Sequence, residues 1–137
     1  MEIAEALEFV RRNHRGVLAV TRSDGKPQMS PVSATVDDNG LVVVSSRETA
    51  YKVRNLQARP YAAYCGFADQ FFGAPWVQIE GPVRIVSLPE AMEPLVDYYR
   101  SISGEHPDWA DYRAAMERDR RVIIAITPER VGPSVQG

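Results

Sequence analysis

Six short apolar stretches, most closed off by a turn signal, divide this chain of 137 residues and leave little room for any other architecture. GVLAVTR (16–22) runs into SDGKP, a tight-turn signature centred on Asp24-Gly25. PQMSPVSATV (27–36) runs into DDNG, where Asn39-Gly40 suits positive φ. LVVVSS (41–46) is a continuous β-branched run of the kind found in buried strands. YAAYCGF (61–67), WVQIEGPVRIV (76–86) and RVIIAITPERV (121–131) complete the set. Pro31 has no amide hydrogen for a ladder, so the second stretch is expected at a sheet edge or bulge, and Gly81-Pro82 is expected to break or bulge the fifth. Six strands joined mostly by short turns predict an α+β domain in which an antiparallel sheet closes into a barrel.

Helices fill the remaining segments. Ile3, Leu7 and Val10 recur at helical spacing within 2–13, with Arg11 and Arg12 at the end that favours cations. A short helix carrying Val53 and Leu56 is expected between Thr49, a suitable N-cap, and Pro60, which disfavours helical geometry before it. LPEAMEPLVDYYRSI (88–102) and PDWADYRAAMERD (107–119) read as two more, the first started by Pro89 and the second by Pro107 or Asp108. The run DYRAAMERDRR has the charge pattern of an exposed helix face. With no linker, repeat or low-complexity tract, residues 1–137 are expected to form one domain.

Charge narrows the functional classes. Sixteen basic against eighteen acidic residues give a net charge of −2, so no global field draws in nucleic acid or membrane, and an anionic ligand needs a local cluster. Cys65 is the single cysteine, His14 and His106 lie far apart, and no Cys/His ligand set suggests a metal. No apolar run approaches the roughly twenty residues of a membrane span, and the acidic opening MEIAEALEF is unlike a signal peptide. A cytoplasmic protein is the expectation. Ser30 has no His/Asp arrangement around it, and Cys65 within a strand reads as a small hydrophobe.

One local cluster stands out. In SSRETAYKVRNLQARP (45–60), Ser45, Ser46 and Thr49 supply hydroxyls, and Arg47, Lys52 and Arg54 supply charge, at the start of a helix. Unpaired amides and the helix dipole make such a start a ready phosphate site. Lys52 is one of only two lysines and shares a helix face with Asn55. The same residues also suit an ordinary capped and solvated surface helix, so both readings stand. With no general acid, nucleophile or metal centre, an enzyme of this composition would take its chemistry from an organic cofactor. The GxGxxG fingerprint of dinucleotide folds is absent.

The succession GVLAVTRSDGKPQMSPV, LVVVSSRETAYKVRNLQARP and WVQIEGPVRIV resembles the pyridoxamine 5′-phosphate oxidase-like split β-barrel family, and within it the actinobacterial branch that uses the deazaflavin coenzyme F420 rather than FMN. YYRSISGEHPDWADYRAAMERDRRVII is similar to a segment of the same branch. The resemblance implies a six-stranded split barrel with peripheral helices, of the FMN-binding type. It also implies a homodimer with cofactor sites at the subunit interface, and hydride transfer from reduced F420 to a small unsaturated or conjugated molecule. By the same resemblance Ser45, Ser46, Arg47 and Lys52 would hold the cofactor phosphate. Gln28, Ser30, Pro31 and Val32 would run beside the ring, and Trp76 and Gln78 would come from the other subunit. FMN on the same barrel, or F420 carriage without turnover, are the alternatives. The chain departs from the family in having Ala50-Tyr51 before the motif lysine, where a basic residue is frequent, and Pro31 where a polar one is. The tail VGPSVQG lacks the aromatic-and-basic ending of true pyridoxamine phosphate oxidases, which argues against pyridoxal phosphate synthesis.

Overall fold

The computed structural model of the chain describes residues 1–133. The elements follow in the order α1 (Ile3–Arg12), β1 (Arg15–Thr21), β2 (Pro27–Ser33), β3 (Thr35–Val36), β4 (Val42–Arg47), α2 (Tyr51–Ala58), β5 (Tyr61–Phe67), β6 (Trp76–Val86), α3 (Met92–Ser103), α4 (Trp109–Arg118), β7 (Arg121–Ile126) and β8 (Arg130–Gly132). The strands pair antiparallel in the order β2-β1-β5-β6-β7-β4-β3, with β8 added to β6.

The two ends of this sheet, β2 and β3, are consecutive in the chain with only Ala34 between them. One extended stretch therefore serves both edges and curls the sheet into a split barrel, the α+β architecture expected. Ala34 is fully buried; its amide donates to the His14 carbonyl at 2.7 Å, and its carbonyl accepts from His14 Nδ1 at 2.9 Å. The stretch 27–36 is thus two strands rather than one. The final stretch likewise divides at Thr127–Glu129 into β7 and β8. Pro31 sits on β2, which pairs only with β1, so its missing amide costs no second ladder bond.

The long strand β6 pairs with β5 over Trp76–Pro82 and with β7 over Val83–Val86. Gly81 lies at this handover, and a Cβ there would overlap the Thr127 carbonyl oxygen. A glycine is required where two backbones approach so closely.

Two apolar clusters hold the domain. The barrel interior is filled by Leu18, Tyr64, Val77, Ile79, Val44 and Ile124, and α1 closes it with Ala6, Leu7 and Val10. The second cluster lies on the other side of the wall, where Leu95, Val96 and Tyr112 of α3 and α4 cover Val43, Ile123 and Ala125. Both faces of β4 and β7 are therefore buried, which is why VVV and VIIAI show no alternation. Each such buried Val, Leu or Ile contributes roughly 1.5–3 kcal/mol.

Two expected helix starts shift. Pro89 lies in the turn before α3, its carbonyl accepting from the Met92 amide at 3.1 Å, and the helix begins at Met92. Thr49 is not the cap of α2. Ala50 holds that position in extended geometry, and no side chain caps the helix. At α4 the Asp108 side chain does cap, accepting from the Asp111 amide at 3.1 Å.

Candidate functional site

Past Ala34 the chain leaves β1 for β4, so β2 and β4 bound a gap in the barrel wall without being hydrogen-bonded to each other. Lys52, in the first turn of α2, reaches into this gap. Its Nζ donates to Ser30 Oγ on β2 at 3.4 Å, the long end of hydrogen-bonding range. Partial burial, and then the charge of Arg121, push the Lys52 ammonium below its ordinary value of 10.5. A cation held where both its surroundings and its neighbour disfavour its charge is poised for an anion.

Strand alternation sorts the remaining residues. In the β4–β7 ladder Ser45 faces Ile123 and Arg47 faces Arg121, on the side covered by α3 and α4. Ser46 lies on the other side with Val44; it is 3% exposed, and its hydroxyl reaches no further than the Arg47 carbonyl at 3.5 Å. The two serines thus point apart. Lys52, Arg47 and Arg121 make no ion pair among the described residues, and the buried Nε of Arg121 has no hydrogen-bond partner. Arg121 therefore does not belong to an exposed helix face, as its run of charges suggests. It opens β7 and is half-buried.

Tyr98 of α3 spans the head of the gap. Its hydroxyl donates to the Ser33 carbonyl at 2.8 Å, and burial pushes its phenol up, opposed by the Ser45 backbone amide and by Arg121. On β2, Gln28, Ser30 and Val32 share the inward side, and Gln28 Oε1 is buried without a partner. Pro31 faces the opposite way, paired with Val17 on the outer surface of the sheet. The structure thus brings Ser30 and Lys52 together and leaves Pro31 behind the wall. Asn55, expected beside Lys52, is engaged by Arg59 Nη2 at 3.1 Å, and Arg54 is exposed.

Trp76 and Gln78 are not brought to the gap within one chain. They stand on the outer face of β6, separated from β2 by β5 and β1, beside Glu80 and the Arg130–Gly132 strand. Apart from Gln78, Glu80 and Arg130 at its β6 end, that outer face is largely apolar: Met29 and Trp76 are 66% and 46% exposed, alongside Val17, Ala63 and Cys65. Partial burial raises the Cys65 thiol.

Sequence reasoning missed Arg121 and Tyr98. No local pattern could have found either, because their place depends on strand register and on the docking of α3. Three cations without counter-carboxylates, one orphaned guanidinium nitrogen and an uncapped helix start fit an anionic group such as a phosphate, at about 1.5–3 kcal/mol per charge-assisted hydrogen bond. No group of three or more His, Cys, Asp or Glu side chains converges among the described residues, and no helix there is long and apolar enough to cross a membrane.

A family model described as pyridoxamine 5′-phosphate oxidase matches residues 3–134. The chain belongs to this family. Its members are largely oxidoreductases that bind flavin-type cofactors, FMN or F420. Among solved structures, the conserved hypothetical protein Rv2991 from Mycobacterium tuberculosis is 25% identical with a TM-score of 0.78, the match covering 100% of this chain and 93% of that one. An F420 reductase is 22% identical with a TM-score of 0.69, over 91% and 94% of the two chains. General Stress Protein 26 from Bacillus anthracis is 17% identical with a TM-score of 0.63, over 96% and 92%. The last two similarities speak for the fold alone.

Proposed function

We propose that the protein is an F420-dependent oxidoreductase, a cytoplasmic homodimer that moves hydride between reduced deazaflavin and a small unsaturated or conjugated organic molecule. The observation that carries this reading is the set Lys52, Arg47 and Arg121 at the β2–β4 gap, free of carboxylate partners among the described residues. Bound there, F420 would supply the hydride from its deazaflavin ring. The chain's own part is to bind and orient. Lys52 and Arg121 would hold the phosphate, and the exposed Arg47 would meet other anionic groups of the cofactor. The β2 segment with Gln28, Ser30 and Val32 would border the ring and would keep water from it. That an F420 reductase shares this fold makes F420 one of the cofactors the barrel can be expected to take.

The homodimer reading rests on the apolar outer face of β2, β1, β5 and β6, where Met29, Pro31 and Trp76 would be covered by a second copy. Such packing would bring Trp76 and Gln78 of one copy toward the other's gap. Sedimentation at micromolar concentration tests it: a dimer that Val17→Glu converts to monomer is the expected result.

FMN on the same barrel is the second reading, because the same cations suit a phosphate monoester. Carriage without turnover is a third, since among the described residues the gap offers only the Lys52 ammonium and the Tyr98 phenol as proton-transfer groups, and the phenol already donates to the Ser33 carbonyl. Fluorescence titration with F420 and with FMN separates the cofactors. Binding of F420 with none of FMN is expected, and the reverse overturns the proposal. Oxidation of reduced F420 in the presence of enones or quinones then distinguishes a reductase from a carrier.

A further inference from the structure

Outside the barrel, between α3 and the strands β3, β4, β7 and the end of β6, lies a cavity of about 600 Å³. This is within the range of roughly 300–1,000 Å³ typical of small-molecule sites. Its floor is apolar, made by Leu41, Val43, Val86, Ile123 and Ala125. Its mouth carries the carboxylates of Asp37, Asp38, Glu90 and Asp97 and the guanidinium groups of Arg84 and Arg100.

Both cations are already engaged. Arg84 lies 3.9 Å from Glu90, and Arg100 lies 3.9 Å from Asp97 and 2.7 Å from Glu105, a residue outside the cavity lining. Asp37 Oδ1 accepts the amides of Asn39 and Leu41, each at 2.9 Å, and so shapes the turn. Asp38 has no hydrogen bond or ion pair among the described residues. The mouth therefore holds net negative charge above an apolar floor. Deeper in, Thr35 Oγ1 and Ser101 Oγ lie 2.7 Å apart, and only one of their two hydroxyl protons serves that contact. The carboxylates stand around the opening and do not converge as a metal site would.

We propose that this cavity binds a small organic cation, a protonated amine carried on a flat apolar body. The body fills the floor between α3 and the sheet, and the ammonium group meets Asp38 and Asp97 at the mouth. Acidic surface residues alone would mark only a solvated face. Here the half-open cavity with an apolar floor beneath them supplies the independent reason for a ligand, and the sign of the mouth selects its charge. None of the charges involved belongs to the β2–β4 gap, so the inference stands whichever cofactor binds there.

Calorimetric titration of the intact protein with tryptamine, tryptophol and indole-3-propionate tests it, because the three share a ring and differ in charge. Tryptamine is expected to bind, tryptophol about two- to fivefold more weakly, and the carboxylate more weakly still. Asp38→Asn with Asp97→Asn, both exposed positions, should bring tryptamine down to the affinity of tryptophol and leave tryptophol unchanged. Equal binding of all three, binding of none by protein with a native circular dichroism spectrum, or tryptamine binding indifferent to the double variant would each overturn the proposal.

Discussion

Two regions of this domain gather basic side chains, and their cations are treated in opposite ways. At the acidic mouth beside α3, Arg84 and Arg100 each have a carboxylate within 4 Å, and nearby Arg113 donates to Glu93 at 2.7 Å. At the β2–β4 gap, Lys52, Arg47 and Arg121 have none among the described residues, although the chain as a whole is acidic. A protein with carboxylates to spare has neutralised its basic groups at one site and left them bare at the other. Bare cations repel one another and cost stability unless a ligand completes them. Being unpaired and partly buried together, rather than the mere presence of basic residues, is what separates Lys52 and Arg121 from an exposed cation such as Arg54, which has no ion pair among the described residues either.

The change expected to disrupt both regions at once is Gly81→Val. Its side chain would overlap the Thr127 carbonyl where β6 passes from β5 to β7, and a loss of about 3 kcal/mol or more is expected in urea denaturation. A mild effect would show that the barrel corner gives way more easily than its geometry implies.

Lys52→Ala is expected to weaken cofactor binding by roughly 1.5–3 kcal/mol, and Arg121→Gln by a similar amount, in fluorescence titration. Arg54→Ala, a change at an exposed cation on the same helix, should have little effect. If Arg54→Ala proved as damaging as the other two, partial burial at the gap would not be what defines the site, since Arg54 is unpaired but exposed.

Lys52→Met sharpens the contrast from the other side. The folded ammonium has a pKa below 10.5, so between that lowered value and 10.5 the unfolded chain holds more protons and stability rises with pH. Below that window the cost of burying the charge is fully present. Removing the charge should therefore stabilise the ligand-free protein near neutral pH, by no more than about 1 kcal/mol after solvent screening, and abolish the alkaline rise. Denaturation curves across pH in the absence of ligand give the answer. A destabilised Lys52→Met would mean that the Ser30 contact outweighs desolvation.

The smallest change is expected in the paired region. Glu93 and Arg113 lower and raise each other's pKa, respectively, through their hydrogen bond and charge. Glu93 is exposed and Arg113 only half-buried, so Glu93→Gln should leave the denaturation midpoint in moderate salt where it was. A clear drop would assign the acidic side a structural role that its exposure does not suggest.

Much of the barrel was legible because local rules act over short spans. Asp24-Gly25 and Asn39-Gly40 do turn the chain, with Gly25 and Gly40 at positive φ, and YAAYCGF and WVQIEGPVRIV are strands over their full lengths. Pro31 announced an edge strand, and Asp108 a capped helix. Thr49 and Pro89 misled because many residues can begin a helix and tertiary docking chooses among them. The lysine of the candidate site was visible through its rarity and its place after a strand. Its partners were not, since Ser30 lies 22 residues away in sequence and Arg121 three times as far.

By itself, then, the sequence determined the strands, the turns and the basic junction, all of which depend on neighbours within a few positions. The tertiary structure alone decided that Ala34 joins the two sheet edges, leaving a gap across which Lys52 meets Ser30. It alone turned Ser46 and Pro31 away and brought Arg121 and Tyr98 in. Those outcomes depend on register and closure, where a shift of one residue reverses every side chain, and no local composition encodes that choice.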